Sequence, residues 1–335
     1  MTGTSPARIR KIPGTSRTTT IPGIPQSPES QESLKYQVAN MSRITRKTWL
    51  ELCNKPPVIL DGAWGSLLQQ RGLPAGTAPE AWNLTHSGEV RNAARAYVQA
   101  GSQIILTNTF GGNQIALGRH GLADRTTAIN RTGAELSRQA AGTDALVLGS
   151  IGPTGAMLMM GEISAEQMGD AFAGQADALK EGGADGLVIE TMSDLEEAVL
   201  ATRAAAAIGL PVVSSMVFDS GPQNHHTMMG VTPAQAAVAL EDAGAWAVGA
   251  NCGLGPDVFL PLCHAFRAAT KLPLWMKPNA GLPEIEDGKT VYRMTAGEFA
   301  GLVRPLWEQG GVVFVGGCCG TDPSFIQALK ANPPA

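Results

Sequence analysis

From residue 55 onward, short apolar runs alternate with longer stretches of helical periodicity. Each run is rich in β-branched residues and ends in glycine or a polar side chain, and a helical stretch follows it. Strands that alternate with helices indicate a parallel sheet. The predicted strands are residues 58–61, 103–108, 145–150, 186–190, 212–218, 245–251, 273–277 and 312–317.

Helix-start signals fall between these runs. Ser164 precedes Gln167 by three residues, which is capping-box spacing, and Thr232 and Thr295 also precede helical stretches. Eight strand–helix units predict an α/β fold, a single (β/α)₈ TIM barrel, whose usual size is about 250 residues plus insertions. The alternative is an open doubly wound sheet. Its expected G-x-G-x-x-G motif is not matched by residues 61–66.

The first 40 residues differ from the rest of the chain. They are rich in Ser, Thr, Pro, Gly and Arg, and they lack the apolar stretch of a secretory signal. Their composition weakly resembles an organellar transit peptide. We instead predict a disordered N-terminal extension over residues 1–40, with Met41 as a possible working start, and a barrel domain over residues 41–335.

Composition and charge narrow the functional classes. The chain has 335 residues, of which 44% are hydrophobic and 16% charged, and a formal net charge of −4. We therefore expect no nucleic-acid partner. No apolar run reaches the roughly 18 residues of a membrane span, so we expect no membrane insertion. Five cysteines, an odd and low number, argue against a disulfide framework and favour a reducing compartment, the cytoplasm.

The predicted strands end in polar residues, and a barrel places its chemistry at those ends. Cys252 follows the sixth strand, and Cys318 and Cys319 follow the eighth among glycines that let the backbone leave strand geometry. Even-numbered strands share side-chain layers, so these thiols can meet. Three thiols with one open position suit catalytic zinc. Alternatively, they are buried cysteines acting as small apolar residues.

The remaining candidate ligands are predicted to have structural roles. Cys53 precedes the first strand and lies at the wrong end of the barrel, while Cys263 and His264 fall in a predicted helix. His225 and His226 follow the fifth strand, where they would line the mouth of the site. Thiolates explain zinc selection better than these histidines do.

Seven segments together resemble the homocysteine S-methyltransferase family, over about residues 55–330. They are Leu60-Asp61-Gly62-Ala63, Thr107-Asn108-Thr109-Phe110, Gly149-Ser150-Ile151-Gly152-Pro153-Thr154-Gly155, Ile189-Glu190-Thr191, Gly249-Ala250-Asn251-Cys252-Gly253, Lys277-Pro278-Asn279-Ala280-Gly281 and Gly316-Gly317-Cys318-Cys319-Gly320-Thr321.

The resemblance implies a (β/α)₈ barrel with zinc (Zn²⁺) on Cys252, Cys318 and Cys319. It also implies that Glu190 and the Asp61-Gly62 pair hold the amino-acid end of homocysteine. The implied activity is transfer of a methyl group to the zinc-bound thiolate of homocysteine, giving methionine. Zinc ionises a coordinated thiol, which is mostly protonated at neutral pH when free.

The resemblance leaves the methyl donor open. Family donors include betaine, S-methylmethionine, S-adenosylmethionine and a methylated corrinoid, which would arrive here on another protein. A quaternary ammonium usually requires an aromatic cage, whereas Gly111 and Gly112 follow Phe110 in this chain.

Two alternative functions remain from the sequence. One is a barrel lyase or aldolase that uses Lys277 at a strand end as a Schiff base. The other is a non-catalytic barrel that binds zinc or thiols without turnover.

Overall fold

The computed structural model describes Met1, residues 44–286 and residues 289–331. The predicted disorder of residues 1–40 lies outside this part of the chain, apart from Met1. The strands are β1 Val58–Ile59, β2 Ile104–Leu106, β3 Leu146–Ile151, β4 Gly186–Met192, β5 Val212–Met216, β6 Ala247–Asn251, β7 Leu274–Lys277, β8 Glu284–Glu286, β9 Lys289–Val291 and β10 Val312–Val315.

Eight of these strands form one parallel sheet that closes into a barrel. Neighbouring strands follow the order β1-β10-β7-β6-β5-β4-β3-β2. A parallel ladder joins each adjacent pair, for example Val188 beside Val213 and Asn251 beside Lys277, and the register shifts once in the β4–β5 ladder and once in the β10–β7 ladder. The predicted α/β barrel is confirmed, and each of the eight predicted strand runs overlaps a barrel strand.

The seam between β1 and β2 is bridged by a side chain. The backbone N–H of Gln103 donates to the carbonyl of Ile59 over 2.7 Å. In return, the Gln103 side-chain oxygen accepts from the backbone N–H of Ile59 over 3.0 Å. The barrel is therefore continuous, although this seam has fewer backbone bonds than a ladder.

The α-helices of the described residues pack around this ring and, in one case, across its end. They are α1 Arg46–Cys53, α2 Trp64–Gln70, α3 Trp82–Thr85, α4 Ser87–Ala100, α5 Gln114–Gly118, α6 Thr126–Ala141, α7 Ala165–Glu181, α8 Leu195–Ala207, α9 Pro233–Asp242, α10 Phe259–Ala269, α11 Ala296–Glu308 and α12 Pro323–Ala331. Capping boxes begin α7 at Ser164, α9 at Thr232 and α11 at Thr295. None of the described helices combines the length and the apolar character needed to cross a lipid bilayer.

An apolar plug fills the barrel at the amino-terminal ends of the strands. Helix α1 brings Trp49 there, and its ring stacks on Phe314 with centroids 4.8 Å apart. Trp275 also contacts Phe314, and Leu60 and Val188 belong to the same buried cluster. This end is packed with side chains, whereas the cavity lined by Gly62, Glu190 and Cys252 lies at the carboxyl-terminal ends of the strands.

The loop after β7 contains a hairpin of β8 and β9 that the strand pattern did not predict. Its register pairs Glu284 with Val291 and Ile285 with Thr290. Arg293 forms exposed ion pairs with Glu284 at 3.1 Å and Glu286 at 2.8 Å. This hairpin precedes Tyr292, which packs partly buried against the barrel core.

Candidate metal centre and substrate cavity

Cys252, Cys318 and Cys319 meet at the carboxyl-terminal end of the barrel. Their sulfur atoms all lie within 4.8 Å of one another, and Cys252 Sγ is 3.8 Å from Cys319 Sγ. Within the described ranges, no other group of three His, Cys, Asp or Glu side chains has metal-ligand spacing. The three predicted ligands therefore converge, as the barrel interpretation required.

The last residue of β7 and the loop after it hold the backbone of all three cysteines. Cys252 N–H donates to the carbonyl of Lys277 over 3.0 Å, and Cys318 N–H donates to Pro278 over 2.7 Å. Cys319 in turn accepts from Ala280 N–H over 2.9 Å. The cysteine positions are thus defined by backbone hydrogen bonds as well as by their own strands.

Glycine is required just before the cysteine pair. A Cβ on Gly316 would lie 2.6 Å from the carbonyl oxygen of Asp61, and one on Gly317 would overlap Thr321. Cys252 itself adopts a positive φ of 65°, which is unusual for a non-glycine residue. This backbone conformation occurs where the chain leaves β6, and the Cys252 thiol lies close to the other two thiols there.

One of the thiols receives a hydrogen bond from a neighbouring amide, because Asn251 Nδ2 donates to Cys318 Sγ over 3.9 Å. Contacts from Cys318 and Cys319 lower the pKa of Cys252, and the pKa of Cys318 is raised by its contact with Cys252. The cluster thus readily holds a thiolate.

The donor set fits a soft divalent metal ion. Three sulfur ligands with space for a fourth ligand are the arrangement of a catalytic zinc site. The Asn279 Oδ1 atom beside the cluster is buried and has no hydrogen-bond partner among the described residues. An unpaired buried oxygen is rare in native proteins and has a natural partner in a cation. The three cysteines could therefore hold a metal.

A cavity of about 380 Å³ adjoins the thiols. Glu190 and Gly62, two predicted substrate residues, both line it. Glu190 is only 7% exposed, and its Oε1 accepts from Ser150 Oγ over 2.5 Å. Burial raises the pKa of Glu190, with the charge of Lys277 acting in the opposite direction. A buried carboxylate beside three thiols can recognise a cation.

Asp61 lies beneath the cavity, and its carboxylate is already fully engaged. Oδ1 accepts from Lys277 Nζ over 2.6 Å. Oδ2 accepts from Trp64 Nε1 over 2.8 Å and from Leu106 N–H over 2.7 Å. The structure therefore gives Asp61 a visible organising role, because it joins β1, β2 and β7 under the site.

Lys277 is held as an ammonium ion. Burial opposes its charge, but the charges of Asp61 and Glu190 outweigh that effect and raise the pKa of Lys277. Its side chain is 2% exposed and tied to Asp61. A Schiff base requires a neutral amine, so this environment disfavours the lyase alternative.

The other candidate ligands lie apart from the cysteine group. Cys53 ends α1 at the plugged end of the barrel, and Cys263 is buried in α10. His225 and His226 follow β5 but do not line the cavity, so the expected placement at its mouth is not observed. The strand-end pattern did not assign roles to Ser150 and Trp64. Ser150 meets Glu190 from the adjacent strand, 40 residues away in the sequence, and the Trp64 contact with Asp61 depends on how α2 begins.

The sequence matches the homocysteine S-methyltransferase family over residues 58–332. It is 31% identical to methionine synthase of Mycobacterium tuberculosis over 305 residues, which cover 84% of this chain and 25% of that protein. It is also 31% identical to betaine–homocysteine S-methyltransferase 1 of Bos taurus over 309 residues, covering 85% of this chain and 74% of that protein. This chain thus spans about a quarter of the length of the methionine synthase.

Solved structures agree with the sequence matches. The metallated form of the homocysteine methyltransferase MmuM from Escherichia coli superposes with a TM-score of 0.70 at 26% identity. The match covers 84% of this chain and 98% of that one. Both the sequence match and the converging thiols lie in the same barrel, and the chain accordingly belongs to the homocysteine S-methyltransferase family.

Proposed function

We propose that this chain is a zinc-dependent enzyme that transfers a methyl group to the sulfur of homocysteine, giving methionine. The observation that carries the proposal is the convergence of Cys252, Cys318 and Cys319 beside a cavity that also contains Glu190. Three thiols are suitable ligands for zinc, and a buried carboxylate can form an ion pair with the ammonium group of an amino acid. The family membership supplies the reaction class.

Each residue has a distinct task in this proposal. The three cysteines hold zinc, which supplies an ionised sulfur nucleophile when homocysteine is present. Glu190 pairs with the substrate ammonium, and backbone N–H groups around Gly62 bind its carboxylate. Asp61 and Lys277 fix the floor of the site by their buried ion pair. The reacting sulfur is then held in one place, and alignment lowers the barrier to methyl transfer.

The donor is tested by a direct screen. Zinc-loaded protein with homocysteine is incubated with betaine, S-methylmethionine, S-adenosylmethionine or a methylated corrinoid protein, and methionine is measured by mass spectrometry. We expect methionine with one of these donors and none from the Cys318→Ala variant. Homocysteine binding without turnover on any donor would support the non-catalytic barrel instead.

The state of the cysteines fits a reducing compartment. All five are free thiols, including the three that would bind zinc. Oxidation of the cluster would remove the ligands that the proposed reaction requires. We therefore propose that the protein works in the cytoplasm.

A further inference from the structure

Strand β4 contains a bulge at the point where it reaches the cavity. The register of the β4–β5 ladder shifts between Ile189 and Met192. Glu190 and Thr191 together face a single residue of β5 there, Ser215. Thr191 has a φ of +62°, a left-handed conformation that is an outlier for a β-branched residue and persists only where surrounding contacts hold it. The bulge therefore needs a partner outside the ladder.

That partner is the side chain of Asn251 at the end of β6. Asn251 Oδ1 accepts from the Thr191 backbone N–H over 2.8 Å, and Asn251 Nδ2 donates to Thr191 Oγ1 over 2.7 Å. The carboxamide thus binds the backbone and the side chain of Thr191 at once. Asn251 is fully buried, so water does not compete for these two hydrogen bonds.

The same carboxamide also contacts one of the candidate metal ligands. Asn251 Nδ2 donates to Cys318 Sγ over 3.9 Å, and Asn251 Oδ1 accepts from Ser215 Oγ over 2.7 Å. Both acceptor positions of the oxygen and both protons of the nitrogen are then in use, which is the full hydrogen-bonding capacity of an asparagine. Asn251 therefore has one defined orientation, and it joins the bulge in β4 to a thiol that follows β10.

This link connects the two groups that would hold the ends of an amino-thiol substrate. Glu190 lies in the bulge and would pair with the ammonium group, and the cysteine cluster would bring the sulfur to the metal. Bulges commonly redirect a side chain beside an active site. Glycine would adopt the conformation of Thr191 without strain, but it would lack the Oγ1 atom that completes the link.

We propose that Asn251 and Thr191 are positioning residues that set the distance between Glu190 and the metal, and so select a thiol with the arm length of homocysteine. Cysteine has the same amino-acid end, but its arm is one methylene shorter. A fixed bulge matches one arm length, whereas a bulge free to shift would accommodate both. The proposal rests on the proposed function, because it takes homocysteine as the ligand.

The test compares wild-type protein with Thr191→Val, which keeps the β-branched shape and removes the Oγ1 acceptor. Zinc-loaded samples are titrated with homocysteine and with cysteine by isothermal titration calorimetry, with no methyl donor. We expect the wild type to prefer homocysteine, and the ratio of the two affinities to fall about fivefold in Thr191→Val, because one neutral hydrogen bond has that order of effect. Thr191→Ser restores the hydroxyl and should keep the wild-type ratio.

Two neighbouring serines of β5 separate positioning from general stability. Ser215 bonds to Asn251 and is not among the residues that line the cavity, so Ser215→Ala should lower the ratio without touching the ligand. Ser214 is equally buried, but it bonds to Thr202 of α8 instead. Ser214→Ala is therefore the matched control and should keep the wild-type ratio.

Three results would overturn the proposal. They are an unchanged ratio in Thr191→Val, an equal fall in Ser215→Ala and Ser214→Ala, and a wild type that binds the two thiols equally well. None of these measurements uses turnover. A donor screen without methionine would thus reject the proposed methyl transfer, while the affinity ratios still decide the role of Asn251 and Thr191.

Discussion

Glu190 is a carboxylate held in a site that opposes its charge. Burial raises its pKa above the ordinary value of about 4.3. The ionised form needed to pair with an ammonium is present only above this raised pKa. Homocysteine binding should therefore weaken as the pH falls through it, in a range where an exposed glutamate would still be charged.

Glu190→Gln keeps the shape of the side chain and removes the charge. We expect zinc content to persist and homocysteine affinity to fall by about 1.5–3 kcal/mol, the range for a charge-assisted hydrogen bond. Isothermal titration calorimetry at several pH values would measure the loss of homocysteine affinity. It would also show whether the weakening of binding at low pH, which we expect for the wild type, disappears in the variant. Glu197→Gln is the control, because Glu197 is also buried but lies outside this cavity. Equal affinity in wild type and Glu190→Gln would reassign Glu190 to structure.

Three of the cysteines are proposed zinc ligands, and the other two lie outside the site. Cys252→Ala, Cys318→Ala and Cys319→Ala should each lose most of about one zinc per chain, because two thiolates retain zinc poorly. Cys53→Ala and Cys263→Ala should keep it. Metal analysis of the purified variants checks this result. Full zinc in both Cys318→Ala and Cys319→Ala would remove the proposed site.

At the level of elements, β7 and the loop after it hold the site together. The end of β7 accepts the backbone hydrogen bond of Cys252, and the loop forms those of Cys318 and Cys319 and carries Tyr292. Lys277 at the end of β7 also anchors Asp61 after β1. The site therefore depends on a contact between elements that are far apart in the sequence.

Breaking the Asp61–Lys277 pair should be costly. Both side chains are almost fully buried, so removing one partner leaves an uncompensated charge, at a typical cost of about 3–5 kcal/mol. Urea unfolding of Lys277→Met should show a loss of this size. The double variant Asp61→Asn/Lys277→Met should recover much of the loss, because neither charge remains.

The exposed pair of Arg293 and Glu284 provides the comparison, since surface pairs contribute roughly 0–1 kcal/mol. If Lys277→Met and Arg293→Ala lower the free energy of unfolding by the same amount, the buried pair contributes no more to stability than the exposed pair.

For the whole molecule, local sequence signals were sufficient for the architecture. The apolar runs predicted all eight barrel strands, and strand-end placement brought Cys252 to Cys318 and Cys319. The β8–β9 hairpin was missed because both strands are three residues long and β8 is fully exposed, so it buries no apolar face that would produce a pattern. The partners of Asp61 were also missed, because the contact with Lys277 spans 216 residues and no local periodicity encodes it.

The seam between β1 and β2 is expected to be less stable toward local opening than the rest of the barrel sheet. A carboxamide from Gln103 replaces part of a ladder there, so local opening should begin at this joint. The Ile59 amide should then exchange with deuterium sooner than the Val188 amide, deep between two ladders, and Gln103→Ala should widen the difference. Native-state exchange followed by NMR measures both rates. Asp61 and Leu106 face each other just above the seam, so breathing at this joint would transiently enlarge the cavity and offer small molecules a lateral way in.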